Sequence, residues 1–211
     1  MKKIKKIYCD FDGTITKEDM VNSFFEKYAD EKWIESEKLW IEGKITSKEN
    51  AIKQVSLIMK VTQKELDDFI NQTEIDETFY DFYKFLNSKN IDLVIVSDGF
   101  DLFVKKIMER LGIYNIKYYA NHLIYKDNLF SIEFPYYNPG CKKGSGMCKC
   151  SKIDEKNYLY IGDGTSDLCP AHNAEMLFAK KVLRDFCDKN SIDYTPFETF
   201  SDIQNILSSI L

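Results

Sequence analysis

The chain is expected to fold as an α/β protein, a Rossmann-like doubly wound parallel sheet with an inserted helical segment. Three observations predict this. Short apolar runs alternate with helical spacing from residue 76 onward, the mark of parallel strands joined by crossover helices. Three apolar runs stop abruptly at polar residues: Asp10 and Asp12, then Ser97, then Asp163 and Asp167. Between the first run and the next, residues 19–72 have helical periodicity and no strand signal.

Taken in order, the run 4–9 is apolar-rich and is closed by a Gly-containing turn, as befits a strand buried on both faces. Val21, Phe24, Phe25 and Tyr28 recur at intervals of three and four, as do Ala51, Val55, Ile58 and Met59. Ser47 is placed as the cap of the second of these helices, and Thr62 with Glu65 forms a capping-box pattern for a third. Phe79, Phe82, Tyr83, Phe85 and Leu86 line the next helix. A strand at 91–96 and a turn at Ser97-Asp98-Gly99 follow, then a helix over 101–111 that Gly112 ends. Residues 116–120 read as a strand, and 123–134 as a hairpin around Lys126-Asp127-Asn128. After a Pro- and Gly-punctuated loop at 139–150 come strands at 158–161 and 176–179 and a last helix at 201–210. The expected division is a core of residues 1–16 and 76–211 with a helical cap of 17–75.

Composition bounds the partners. The chain has 211 residues, 44% hydrophobic and 30% charged, with only 9 Gly and 4 Pro, so it is neither disordered nor fibrous. Lys and Arg number 29 against 34 Asp and Glu, a net charge of -5, which argues against a nucleic-acid coat or a polybasic membrane patch. No run approaches the ~20 apolar residues of a membrane span. The lysine-rich start is followed by only Ile7, Tyr8 and Cys9 before Asp10, too few for a secretory signal. A cytoplasmic protein is expected, with no nucleic-acid or membrane partner; no heptad or patterned surface specifies an oligomer. Free thiols are expected at Cys9, Cys141, Cys148, Cys150, Cys169 and Cys187. The spacing of Cys141, Cys148 and Cys150 lacks the paired pattern of common zinc sites.

In an open parallel sheet, ligands bind beyond the carboxyl ends of the strands. Asp10 and Asp12, two apart on extended chain, face the same way. Together the polar strand ends suit phosphoryl transfer through a covalent intermediate. Asp10 attacks phosphorus, and Asp12 protonates the departing oxygen and then takes a proton from water. So many carboxylates beside a phosphate need cations, which Mg2+ held by Asp10 and Asp163 and one lysine supply. Ser97 and the N–H groups after it can donate to phosphoryl oxygens. Lys142, Lys143, Lys149 and Lys152 are all candidates for that lysine.

Asp10-Phe11-Asp12-Gly13-Thr14-Ile15-Thr16 resembles the first motif of the haloacid dehalogenase superfamily in its DxDxT phosphatase form. Ser97 resembles the second motif, and Gly162-Asp163-Gly164-Thr165-Ser166-Asp167 the fourth. Gly146-Met147-Cys148-Lys149, Asp167-Leu168-Cys169-Pro170 and the tail from Phe178 to Phe197 extend the likeness over essentially the whole chain. They point to the subfamily IB branch of phosphoethanolamine/phosphocholine and methionine-salvage phosphatases. The loop 141–150 departs from both relatives.

The resemblance implies a C1-type cap, a small phosphorylated metabolite as substrate and a set of roles. Asp10 becomes nucleophile and metal ligand, and Asp12 acid/base and, through its carbonyl, a metal ligand. Asp163 is a further ligand, while Asp167 is linked to the metal or steadies Lys149, the third-motif lysine. Thr14, Asp19, Asp98 and Gly99 are expected to face the substrate, with Asp19 equally suited to capping a helix. Trp33, Trp40, Phe24 and Phe25 form either an aromatic wall or core. Two other readings stand beside this one: a phosphotransferase or phosphomutase on the same scaffold, and a non-catalytic metal-binding module built on the cysteine cluster.

Overall fold

The computed structural model describes residues 4–210, so the basic start at Met1, Lys2 and Lys3 lies outside the described residues. The strands are β1 (Lys6–Cys9), β2 (Asp92–Phe100), β3 (Lys117–Lys126), β4 (Leu129–Glu133), β5 (Leu159–Gly162), β6 (Met176–Ala179) and β7 (Thr195–Pro196). They form one sheet in the order β4-β3-β2-β1-β5-β6-β7, parallel except for the β3–β4 hairpin. Central β1 sets Cys9 opposite Ile95 on one side and Ile161 on the other. Ile7, Cys9, Ile95, Leu159 and Ile161 are all buried, which is why these strands read as continuous apolar runs. The chain builds outward from β1 through β2 to β4, then returns to lay β5 on the other edge of β1. That reversal leaves a crevice at the carboxyl ends of β1, β2 and β5.

Helices α1 (Met20–Tyr28), α2 (Trp33–Ile41), α3 (Ser47–Ser56) and α4 (Gln63–Gln72) follow β1. This excursion is closed by an antiparallel bridge between Thr16 and Ile75. Lys17 N–H to Glu74 O at 3.0 Å and Asp76 N–H to Ile15 O at 3.0 Å flank the bridge. The inserted helices share apolar core with the sheet side: Phe24 packs on Phe69 of α4 and also on Phe103 and Phe130, with ring centroids 5.0, 5.1 and 5.4 Å apart. α5 (Phe79–Ser88), α6 (Asp101–Arg110), α7 (Leu168–Ala171), α8 (Lys181–Asn190) and α9 (Phe200–Ile210) complete the chain.

Several local expectations are corrected. Thr46, not Ser47, caps α3: its hydroxyl accepts from Glu49 N–H, and Glu49 reaches back to the Thr46 N–H. Thr46 holds the extended backbone that a cap requires, while Ser47 is already helical. Ser97-Asp98-Gly99 is the irregular end of β2 rather than a turn, with the β3 register shifting between Val96 and Phe100. The strand expected at 116–120 and the first hairpin arm are one continuous strand, β3. α8 has too few apolar residues to stand out in the sequence; it buries only Leu183 and Cys187, one turn apart. Cys150 and Cys169 are paired as a disulfide with Cα atoms 6.5 Å apart, while Cys9, Cys141, Cys148 and Cys187 are free. The fold brings positions 19 residues apart into contact, which spacing alone does not reveal.

Arg110, at the end of α6, donates to the carbonyls of Ile70, Asn71 and Thr73 at the end of α4. These carbonyls have no partner within the helix, and the guanidinium satisfies three acceptors at once. Arg110→Ala is expected to lower unfolding free energy by about 1–3 kcal/mol. Urea denaturation of the purified variant measures it, and an unchanged midpoint would rule out this tie.

Candidate active site

The three strand ends meet at the crevice. Asp10 leaves β1 with its N–H bonded to Ile161 O at 2.9 Å. Its Oδ1 accepts from Phe11 N–H at 2.7 Å and from Lys149 Nζ at 2.8 Å, leaving Oδ2 without a protein donor among the described residues. Lys149 opens a short 3-10 turn (Lys149–Lys152) after the long loop, and its side chain is only 3% exposed. Its ammonium also lies 2.6 Å from Asp167 Oδ1. Lys142 and Lys143 are exposed, and Lys152 sits over the rings of Tyr119 and Tyr136 instead.

Asp167 is held on every side. Tyr160 donates to Oδ1 at 2.6 Å, and the N–H groups of Asp163 and Gly164 donate to Oδ2 at 3.0 and 2.9 Å. Burial opposes its charge, yet the Lys149 ammonium and these donors keep its carboxyl below the ordinary range. Lys149 shows the reciprocal effect: burial disfavours its charge, but Asp10 and Asp167 outweigh burial and raise its pKa. Burial and the Asp167 charge push the Asp10 carboxyl well up.

Asp163 accepts from Thr14 Oγ1 at 2.9 Å on one oxygen and faces Lys181 Nζ at 3.3 Å on the other. Asp10, Asp163 and Asp167 each bring a buried carboxylate oxygen within 4.8 Å of the others. Three carboxylates against two ammonium groups leave an excess of negative charge on hard oxygen donors. That donor chemistry fits a divalent cation such as Mg2+. Among the described residues the cysteine cluster of the alternative reading forms no such group: Cys150 is committed to Cys169.

Asp12 Oδ2 accepts from Ser97 Oγ at 3.1 Å, and Ser97 Oγ in turn accepts from Gly99 N–H at 2.9 Å. Asp12 Oδ1 is buried with no hydrogen-bond partner. Burial, followed by the charge of Asp19, pushes the Asp12 carboxyl up to about 8, so it holds its proton at neutral pH.

A cavity of about 450 Å³ joins these groups to the inserted helices. Asp10, Asp12, Asp163, Ser97, Asp98 and Gly99 line its sheet side. Asp19, Glu37 and Trp40 line the helical side. Asp19 also caps α1 by accepting from Asn22 N–H at 2.9 Å. Asp98 accepts from Ser47 Oγ at 2.8 Å, tying α3 to β2. Thr14 is fully buried beneath Asp163 rather than in the cavity wall. Phe24 and Phe25 are core, and Trp33 packs on Phe25; Trp40 alone of the four reaches the cavity.

Lys181, Tyr160 and Glu37 were not singled out in the sequence, and Ser47 only as a helix cap. Lys181 lies on the unrecognised α8, where it also donates to the carbonyls of Gly13 and Lys17. Glu37 accepts from Asn50 and Gln54 at 2.8 and 2.9 Å, which no linear pattern announces. Gly13 has φ +72°, and a Cβ there would overlap Asp163 Oδ2. Gly13→Ala is expected to cost about 1–3 kcal/mol of stability from the backbone alone. A chemical-denaturation midpoint equal to wild type would remove this constraint.

Residues 7–172 match the haloacid dehalogenase-like hydrolase family. The chain is 32% identical over 213 residues to the 2-hydroxy-3-keto-5-methylthiopentenyl-1-phosphate phosphatase of Bacillus thuringiensis subsp. konkukian (strain 97-27), covering 98% of this chain and 97% of that one. It is 34% identical over 218 residues to the phosphatase of the same name from Bacillus cereus (strain G9842), with the same coverage. A phospho-aspartyl intermediate analogue of phosphoserine phosphatase superposes with TM-score 0.67 at 25% identity, covering 99% of each chain. On the fold, the site and these matches, the chain belongs to the haloacid dehalogenase-like hydrolases.

Proposed function

We propose that this phosphomonoester hydrolase releases phosphate from a small phosphorylated metabolite, with Asp10 as the nucleophile and Mg2+ as the cofactor. The observation that carries this reading is the unequal treatment of two neighbouring carboxyls. Asp10 is gripped on one oxygen by the Lys149 ammonium and a backbone N–H, while Asp12 pairs with no cation among the described residues and accepts only from the Ser97 hydroxyl. One is fixed to attack and the other is ready to give a proton.

In the first step a carboxylate oxygen of Asp10 bonds to phosphorus as the bond to the leaving alcohol breaks. Asp12 delivers its proton to that leaving oxygen. In the second step Asp12, now a carboxylate, takes a proton from water, whose oxygen bonds to phosphorus and frees Asp10. Ser97 and Lys149 stabilise the phosphoryl oxygens. Asp10, Asp163 and the Asp12 carbonyl would hold the metal. Asp167, its oxygens already taken by Lys149, Tyr160 and two N–H groups, joins through water or acts by steadying Lys149. When bound, Mg2+ offsets the charge of the phosphoryl group and of the carboxylates around it. The match to a hydrolase family and to relatives named as phosphatases favours water as the acceptor over the phosphotransferase or phosphomutase reading.

Residues 17–75 act in this reading as a cap over the cavity. The cap brings Glu18, Asp19 and Glu37 to the cavity wall and no lysine or arginine. A carboxylate on the leaving group therefore finds no partner there. We place the enzyme in the cytoplasm on its four free thiols, Cys9, Cys141, Cys148 and Cys187; the Cys150–Cys169 bridge is the exception to the reduced state usual there. No helix among the described residues is long and apolar enough to cross a membrane.

Asp10→Asn is expected to cut phosphate release by about a thousandfold or more. Chelation should abolish the wild-type rate, and Asp163→Asn should raise the Mg2+ needed for half-maximal rate by about tenfold. Steady-state assays over a Mg2+ series test all three, and a wild-type rate in Asp10→Asn would end the covalent reading. In a substrate panel, phosphoserine should show kcat/KM about tenfold below phosphoethanolamine, the same ester without the carboxylate. The reverse order would overturn the reading of the cap wall.

A further inference from the structure

Cys150 directly follows Lys149, and Cys169 lies two residues beyond Asp167. The disulfide between them therefore spans the same two segments that the Lys149–Asp167 ion pair joins. We infer that the Cys150–Cys169 bridge is a positioning device for Lys149 and that thiol–disulfide exchange sets how firmly it holds the lysine. The kinetic part of this inference rests on the phosphatase reading above.

Three features support it. The ammonium of Lys149 is buried between two carboxylates, so small displacements of its segment are costly to its contacts. The segment is a single short 3-10 turn preceded by the long loop 134–148, which contributes no strand or helix to brace it. The bridge is the covalent link between that turn and α7, the helix that Asp167 precedes. Cys169 is exposed and Cys150 half-buried, so the bridge is open to a reductant, unlike Cys9 and Cys187.

The step balances with a dithiol as co-reactant. One thiolate of the dithiol attacks a bridge sulfur, the Cys150–Cys169 bond breaks and a mixed disulfide forms. The second thiol of the reagent displaces the remaining cysteine. Two electrons and two protons pass to Cys150 and Cys169, and the reagent leaves as its own disulfide.

The test compares full-length protein oxidised with diamide and the same protein reduced with dithiothreitol and desalted. Peptide mapping without reductant should recover a Cys150–Cys169 linked peptide from the oxidised form only. Brief acetylation followed by mass spectrometry should label Lys149 at least threefold faster in the reduced form. With p-nitrophenyl phosphate at saturating Mg2+, reduction should lower kcat three- to tenfold with KM within twofold, and diamide should restore it. Cys150→Ser and Cys169→Ser should sit at the reduced level and ignore dithiothreitol, whereas Cys187→Ser should still respond. Absence of the linked peptide, or equal Lys149 labelling in both forms, overturns the inference. So does an equal kcat in both. Should neither form release phosphate, the phosphatase reading fails, and the labelling ratio still decides for or against the bridge.

Discussion

A single ammonium group buried between two carboxylates organises this molecule. Lys149 sits where water cannot solvate it, so it is stable there only with Asp10 and Asp167 in contact. That requirement draws together the end of β1, the loop before β5 and the turn after β5, segments far apart in the chain. The carboxylates have requirements of their own. Asp167 is satisfied by Tyr160 and by the N–H groups of Asp163 and Gly164, which fixes the shape of the turn after β5. The charge count still comes out negative once Lys181 is added on the flank of Asp163. In the proposed reading a divalent cation completes the set, and a phosphoryl group is the ligand of the completed one.

The inserted helices give the site its depth. They leave and rejoin the sheet side through the narrow neck at Thr16 and Ile75, and they are tied down at two further places. Arg110 collects the free carbonyls at the end of α4, and Asp98 accepts from Ser47 at the start of α3. Because Phe24 packs on Phe103 and Phe130 as well as on Phe69 of α4, the insertion does not own a separate core. Its polar face closes over the Asp10 and Asp12 carboxyls and shields Asp12 from water. That shielding raises the Asp12 pKa, so the placement of the helices and the chemistry of the acid are one effect.

The polar strand ends were legible because each interrupts an apolar run, a contrast that survives in the letters. Asp10, Asp12, Ser97 and Asp163 stand out in this way. Lys149 was not separable from Lys142, Lys143 and Lys152 by composition, and only the motif resemblance favoured it. Burial is what distinguishes the four, and burial is a property of the folded chain. Thr14 and Asp98 show the converse. Both lie in motifs, yet Thr14 serves Asp163 from below and Asp98 receives Ser47 across the cavity.

The sequence by itself determined the alternation of strands and helices, the order of the acidic strand ends and the helical character of the insertion, because periodicity and apolar contrast are local. Tertiary structure alone decided that Tyr160 and Lys181 serve the site, that Glu37 faces it, and that Cys150 meets Cys169. Those contacts join residues through space, across strand order and loop closure, and no spacing along the chain encodes them.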